Sequence, residues 1–215
     1  MERKLQITGR GKLSVAPDII LLSFNASAQA WEYEKTISAL NRKVEELRTI
    51  IEAVGVERKN LKTKDFDIRK ETIRNNKTDT YDFNGFKASH SLELELPLDK
   101  AIINRLLGQI AQKLDNLDFS IAFGVKDASL QQQQLILQAI SKAKEHAALI
   151  AGATDVALKE ILDIDYSYRE LTIRSQRHDY PVYEADMVRT YDAAPDFEPD
   201  DIDVTETVTI TWRIE

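Results

Sequence analysis

The sequence contains no cysteine among its 215 residues. Disulfide bonds, thiolate nucleophiles, cysteine-held iron–sulfur clusters and cysteine zinc sites are therefore excluded. Its three histidines, His90, His146 and His178, lie far apart and form no H-x-x-x-H pair of the kind that holds a metal on a helix. We therefore expect ordinary structural histidines, with no metal and no other cofactor.

Long apolar runs are also absent. No window approaches the roughly 18 uninterrupted apolar residues of a transmembrane helix, so we expect no membrane span. Residues 1–11, MERKLQITGRG, have no apolar core like that of a signal peptide, which predicts a cytoplasmic location for the chain as numbered. If a leader was removed, the expected location becomes periplasmic or exported.

Positive charge is in the minority. The chain has 29 Lys and Arg against 36 Asp and Glu, a formal net charge of −7 that disfavours nucleic acid as a partner. Part of the excess is an acidic cluster of Asp192, Asp196, Glu198, Asp200, Asp201 and Asp203. The cluster lacks the glycine and the spacing of a calcium loop, so we interpret it as a solvated face.

Only seven glycines are present, and two of them fall in the segment GRGKLS. A phosphate loop would need a glycine at Gln6 and a hydroxyl residue at Leu13, so that interpretation fails. Instead we expect Gly9 and Gly11 to form a turn or bulge between two short strands. A corner at Pro17 and Asp18 then leads into a long strand from residue 19.

The rest of the chain shows clear periodicity. Apolar spacing predicts helices over residues 32–54, 99–114 and 128–151, the last beginning after a capping Asp127. This third helix carries a ridge of small residues that lets a helix approach its neighbour closely. The ridge consists of Ala139, Ala143, Ala147 and Ala151.

Alternating residues predict a long-armed hairpin over 61–73 and 81–96, with further strands near 119–123, 158–168 and 202–214. The resulting order, β-β-β-α-β-β-α-β-α-β-β, predicts an α+β fold with mixed or antiparallel sheets and three helices packed on them. We expect a single domain over residues 1–215, or two lobes of about 1–97 and 98–215.

Residues 169–201 show no sustained period and contain three prolines, which predicts a long loop or insertion. In and beside it are mixed aromatic and arginine side chains, a composition enriched in protein interfaces. This candidate interaction surface consists of Tyr168, Arg169, Arg174, Arg177, Tyr180, Tyr183, Arg189 and Tyr191. The alternative is a loop folded back on its own domain, with the tyrosines as lids.

Short motifs spread over nearly the whole chain point to one family. They are Gly9-x-Gly11, Val15-Ala16-Pro17-Asp18, Gly55-Val56, Leu61-Lys62-Thr63, Tyr81, Phe86-Lys87-Ala88-Ser89, Phe119-x-Ile121-x-Phe123, Asp127 and the alanine-spaced helix through Lys144. In these motifs, their order and the final alternating strand, the chain resembles the SIMPL domain family. That family occurs in YggE-like proteins and in a periplasmic immunogenic protein of pathogenic bacteria.

The resemblance implies an α+β protein, mostly bacterial and often exported, with some members resembling oligomeric rings or channel-like assemblies. It further implies a link to oxidative-stress defence and surface antigens, and no established catalytic residues. Residues 1–11 show no export signal, so we expect the chain to differ in this respect from the exported members. It also has Pro199-Asp200-Asp201-Ile202 where the family favours a Pro-Gly-Glu-Ile turn.

No catalytic set is recognisable, because the chain has no nucleophile elbow and no triad pattern. We therefore expect no enzyme. The first hypothesis is a non-enzymatic protein that self-associates into a homo-oligomer, with the hairpin and residues 169–201 as contact surfaces. The alternative is a module that binds a small molecule or peptide in a cleft between the two lobes.

Overall fold

The computed structural model describes residues 3–75, 79–114, 117–175, 178–179 and 198–215. Its strands are β1 Lys4–Val15, β2 Ile19–Ala30, β3 Leu61–Asn75, β4 Thr80–Pro97, β5 Asp118–Gly124, β6 Leu158–Asp165, β7 His178–Asp179 and β8 Ile202–Ile214. Its helices are α1 Tyr33–Ala53, α2 Lys100–Lys113 and α3 Ser129–Ala153, with a short 3-10 turn at Arg58–Asn60.

The predicted α+β fold is confirmed, as are the three helices and the antiparallel sheets. The described chain forms two compact units. Unit 1 takes its residues from 1–18, 124–175 and 199–215, and unit 2 from 19–123 and 176–198. The boundary expected near residues 97–98 falls inside unit 2, between β4 and α2.

Unit 1 is a three-stranded sheet, in the order β1-β8-β6, with α3 packed on one face. β1 and β8 pair antiparallel along their whole length, from Lys4 opposite Arg213 to Val15 opposite Ile202. The alternation predicted for β8 is confirmed, since its inward side chains are buried against α3. Those side chains are Val208, Ile210 and Trp212.

Gly9 and Gly11 do not form the predicted turn. β1 runs unbroken through both, with Gly9 opposite Val208 and Gly11 opposite Glu206. A Cβ on Gly9 would lie 1.9 Å from the Ala139 carbonyl oxygen, so no side chain fits there. The glycines are required because the α3 backbone lies directly on the strand.

The close approach predicted from the alanine ridge is confirmed. Ala139, Ala143 and Ala147 are fully buried, and a Cβ on Gly9 would overlap both the Ala139 carbonyl oxygen and the Ala143 amide nitrogen. On the outer edge of β1, the Lys12 amide donates to Oε1 of Gln138 from the same helix. Small residues on both elements therefore bring two backbones into contact.

Unit 2 is a five-stranded sheet in the order β3-β4-β2-β5-β7, with α1 packed against β2 and β4. Alternate residues of β2 point into a core that also contains the apolar faces of α1 and α2. The largest fully buried side chains of this core are Ile20, Leu22, Phe24, Leu40, Leu47, Ile51, Leu92, Leu94, Ile103 and Leu106. On β2 after Leu21, the residues that alternate with these core side chains are polar and face away from the helices.

The long-armed hairpin is confirmed by the antiparallel pairing of β3 with β4.

Aspartates lie at the start of two of the helices. Oδ1 of Asp99 accepts hydrogen bonds from the amides of Ala101 and Ile102 at the start of α2. Asp127, predicted to cap α3, lies one residue before the N-cap position but still accepts from the Ser129 amide. Hydrogen bonds from the Ser129 hydroxyl and amide lower the pKa of its carboxyl group.

We predict that Gly9→Ala destabilises the protein by at least about 3 kcal/mol, because the new methyl group would overlap backbone atoms that cannot rotate away. Gly152→Ala is the matched control, since no atom lies within 4 Å of a Cβ at that position of α3. The control should retain or gain stability, by up to about 1 kcal/mol. Urea unfolding followed by circular dichroism measures both, and equal stabilities would contradict the backbone contact.

Candidate functional site

Exposed aromatic side chains gather in unit 2 where β2 leads into α1. Trp31 is 66% exposed, Tyr33 51% and Phe83 44%, and they surround the half-buried Phe86 on β4. We call these four residues the aromatic patch. Isolated exposed apolar residues are ordinary on protein surfaces, whereas a contiguous group indicates an interaction site.

The four rings of the aromatic patch contact one another in series. The ring centroids are 5.9 Å apart for Trp31 and Phe83, 5.4 Å for Phe83 and Phe86, and 5.8 Å for Tyr33 and Phe86. All three pairs meet edge to face, a geometry that contributes about 0.5–1.5 kcal/mol per pair beyond burial. The rings therefore hold one another in place before any partner arrives.

An irregularity in β4 places Phe83 and Phe86 on the same side of the hairpin. Lys70 pairs with Phe86 and Thr72 with Phe83, so β4 has one residue more than β3 in this interval. Gly85 lies in this bulge with φ +90°, and a Cβ there would meet the Ala30 carbonyl oxygen at 2.5 Å. Without the bulge, residues three apart on a strand would face opposite sides.

Hydrogen bonds between α1, β2 and β4 fix the base of the patch. Nε2 of Gln29 donates to the Asn84 carbonyl over 3.0 Å, across the two strands. The hydroxyl of the fully buried Thr36 lies 2.9 Å from the Glu32 carbonyl and 3.3 Å from that of Phe86. These bonds tie the first turn of α1 to the strand that carries Phe86.

Only part of the surface predicted from the sequence falls within the described residues. Tyr168 is 71% exposed, and the Arg169 carbonyl accepts a 2.6 Å hydrogen bond from Nε2 of the buried Gln132 on α3. Arg174 forms an antiparallel bridge with Gly124 through its backbone. These three residues therefore lie on an irregular segment anchored to unit 1.

The remaining five predicted residues, Arg177, Tyr180, Tyr183, Arg189 and Tyr191, lie outside the described residues. Their role as an interaction surface stays a prediction. The aromatic patch was missed by sequence reasoning, although Gly85 inside an alternating strand is the signal of a bulge.

Unit 1 exposes apolar side chains on its edge strand β6. Ile161, Leu162 and Ile164 are 42%, 37% and 54% exposed. The pairing of β6 with β8 is interrupted by two register shifts, and four charged residues lie on the strand. Bulges and charges are the features that protect a sheet edge from pairing with another chain, so β6 is the weaker candidate.

His90 lies on the face of β4 that packs beneath α1. Its Nε2 is 2.8 Å from the Thr63 hydroxyl, and its ring meets that of Phe66 edge to face. Its Nδ1 is buried and has no hydrogen-bond partner among the described residues. Burial lowers the pKa of His90 below its usual value, and the positive charge of Arg48 lowers it further.

Within the described parts of the chain, no group of three or more His, Asp or Glu is arranged to hold a metal ion. No helix of those parts is both long enough and apolar enough to cross a membrane.

A comparison with known families gives one match that spans nearly the whole chain. The family model for SIMPL, described as a protein of unknown function (DUF541), matches residues 5–212. A comparison with curated proteins found no match.

The neutral His90 predicts a stability that falls as the pH is lowered. The unfolded chain binds a proton at His90 below about pH 6.5, whereas the folded chain binds it only at lower pH. The stability present above pH 6.5 is therefore lost progressively between the unfolded and folded pKa values. We expect His90→Gln to flatten this decline as the pH falls below about 7.

Urea unfolding at several pH values measures this effect, with His146→Gln as the control because His146 is an exposed residue of α3. The control should follow the pH dependence of the parent protein. If the stability of His90→Gln fell with decreasing pH as steeply as that of the parent protein, His90 would not be the group responsible for the decline.

Proposed function

The chain belongs to the SIMPL family of unknown function, and we propose that it is a non-enzymatic protein that self-associates into a homo-oligomer through the aromatic patch. The proposal includes the setting implied by the family resemblance, defence against oxidative stress. A group of exposed aromatic rings already held in contact is the observation that carries it.

The composition of the patch supports a role in protein contact. Tryptophan and tyrosine are over-represented among residues that dominate binding energy at interfaces. Trp31 and Tyr33 each expose more than half of their surface, so a partner could bury a large apolar area on them. Because the rings already order one another, little side-chain entropy is lost on contact.

A second copy of the chain is the partner that the surroundings favour. The apolar surface continues along the hairpin through Tyr81, which is 70% exposed and lies on the same face of β4 as Phe83. Charges of both signs flank it, as in the ion pairs of Glu32 with Lys35 and of Arg74 with Asp79. A two-fold contact between identical patches would therefore meet no excess of like charge.

We expect the protein to be a dimer or larger in size-exclusion chromatography with light scattering. Trp31→Ala and Phe83→Ala should each weaken association by about 30-fold, the effect of losing about 2 kcal/mol at an interface hot spot. Leu130→Ala is the control, because Leu130 is 68% exposed but lies on α3 in unit 1. A strict monomer from micromolar to millimolar concentration would exclude the proposal.

Tryptophan fluorescence locates the contact. The chain has two tryptophans, and Trp212 is only 5% exposed. In a Trp212→Phe variant, emission therefore reports on Trp31 alone. On dilution of the oligomer we expect the emission to shift to longer wavelength as Trp31 regains water. An oligomer whose dilution leaves this emission unchanged would place the interface elsewhere.

A further inference from the structure

The sheet of unit 2 carries a polar depression on the face opposite α1. Its volume is about 270 Å³, and its lining consists of Asn25, Ser27, Asp67, Arg69, Lys87, Ser89 and Asp118. All seven side chains are polar or charged. They come from β2, β3, β4 and β5, so the depression forms only when the sheet is assembled.

The register of the strands explains the shape of the depression. Ser27 on β2 lies opposite Ser89 on β4, and Ser89 lies opposite Asp67 on β3. The two serines are the smallest residues in the lining and form its floor. Longer side chains surround the two serines. Among them, Arg69 on β3 lies opposite Lys87 on β4, two residues along each strand on the same face of the sheet.

The four charged groups of the lining are not equally engaged. Nε of Arg69 donates to Oε1 of Glu71 over 2.9 Å. This hydrogen bond raises the Arg69 pKa, and the charges of Glu71 and Asp67 raise it further. Asp67 interacts with Arg69 through its charge, whereas Lys87 and Asp118 make no ion pair or side-chain hydrogen bond with any described residue. Lys87 and Asp118 are therefore the cation and the anion of the lining that no described residue engages.

The placement of these two groups suits a small zwitterion. Lys87 is on β4 and Asp118 on β5, with β2 between them, so their side chains reach the depression from opposite sides. An α-amino acid bonded at its carboxylate and at its ammonium group needs about 8–9 Å between the two protein groups. The flexible lysine side chain lets its ammonium group adjust to that separation.

We propose that this depression binds a small polar α-amino acid as its zwitterion. Lys87 holds the carboxylate, Asp118 holds the ammonium group, and the serine hydroxyls with Asn25 bond the remaining polar atoms. The volume lies below the roughly 300–1,000 Å³ of pockets for drug-sized ligands. Because the lining has no apolar residue, it offers nothing to a large apolar side chain.

Four probes test the ligand class: L-serine, L-serinamide, N-acetyl-L-serine and glucose. Titration of each into isotopically labelled protein, followed by amide chemical shifts, reports the location and the affinity of binding. We expect L-serine to shift the amides of residues 25–27 and 87–89 and to bind at least about 10-fold more tightly than either blocked analogue, since each lacks one charge-assisted bond. Glucose should bind more weakly still.

Two variants separate the roles of the charges. Lys87→Gln should remove the preference for L-serine over L-serinamide, and Asp118→Asn should remove the preference for L-serine over N-acetyl-L-serine. Lys62→Gln, on the same face of β3 but outside the depression, should leave both preferences intact.

The proposal is overturned if L-serine causes no shifts in the depression up to about 10 mM, or if glucose or a blocked analogue binds equally well. It is also overturned if both variants fold like the parent and keep its preferences. If either variant fails to fold, the probe series on the parent protein alone decides.

Discussion

The contact between the backbones of β1 and α3 is the constraint on which unit 1 depends. Gly9 and Gly11 place no side chain between the strand and the helix. On the helix, Ala139 and Ala143 place only methyl groups there. Because these small residues bury little apolar area, the larger side chains of β8 must provide the apolar area that is buried. Burial of a side chain as large as Trp212 contributes about 1.5–3 kcal/mol, which becomes available only at this short separation.

The sheet of unit 2 is covered by α1 on one face, and its opposite face carries the polar depression. Alternation along β2 and β4 places apolar residues beneath the helix and leaves serines and charged residues on the opposite face, where the depression lies. The bulge at Gly85 interrupts this alternation once, and the interruption brings Phe83 beside Phe86. The one added residue in β4 is therefore what allows the hairpin to present the aromatic patch.

Sequence reasoning was accurate where the signal was periodic. The three helices, the hairpin and the alanine ridge were all predicted, because each repeats over many residues. It was wrong about Gly9 and Gly11. A turn and a close backbone contact both favour a residue without a Cβ, so glycine in the sequence does not distinguish between them. It missed the aromatic patch because Trp31 and Phe83 meet only through contacts between distant segments.

The sequence by itself determined most of the elements, the faces they bury and the family, because helices and strands are encoded by interactions among near neighbours. Only the tertiary structure decided which elements meet. The pairing of β1 with β8 joins the two ends of the chain, and the depression draws its lining from four strands. Such contacts depend on how separate elements pack, which no local pattern of residues specifies.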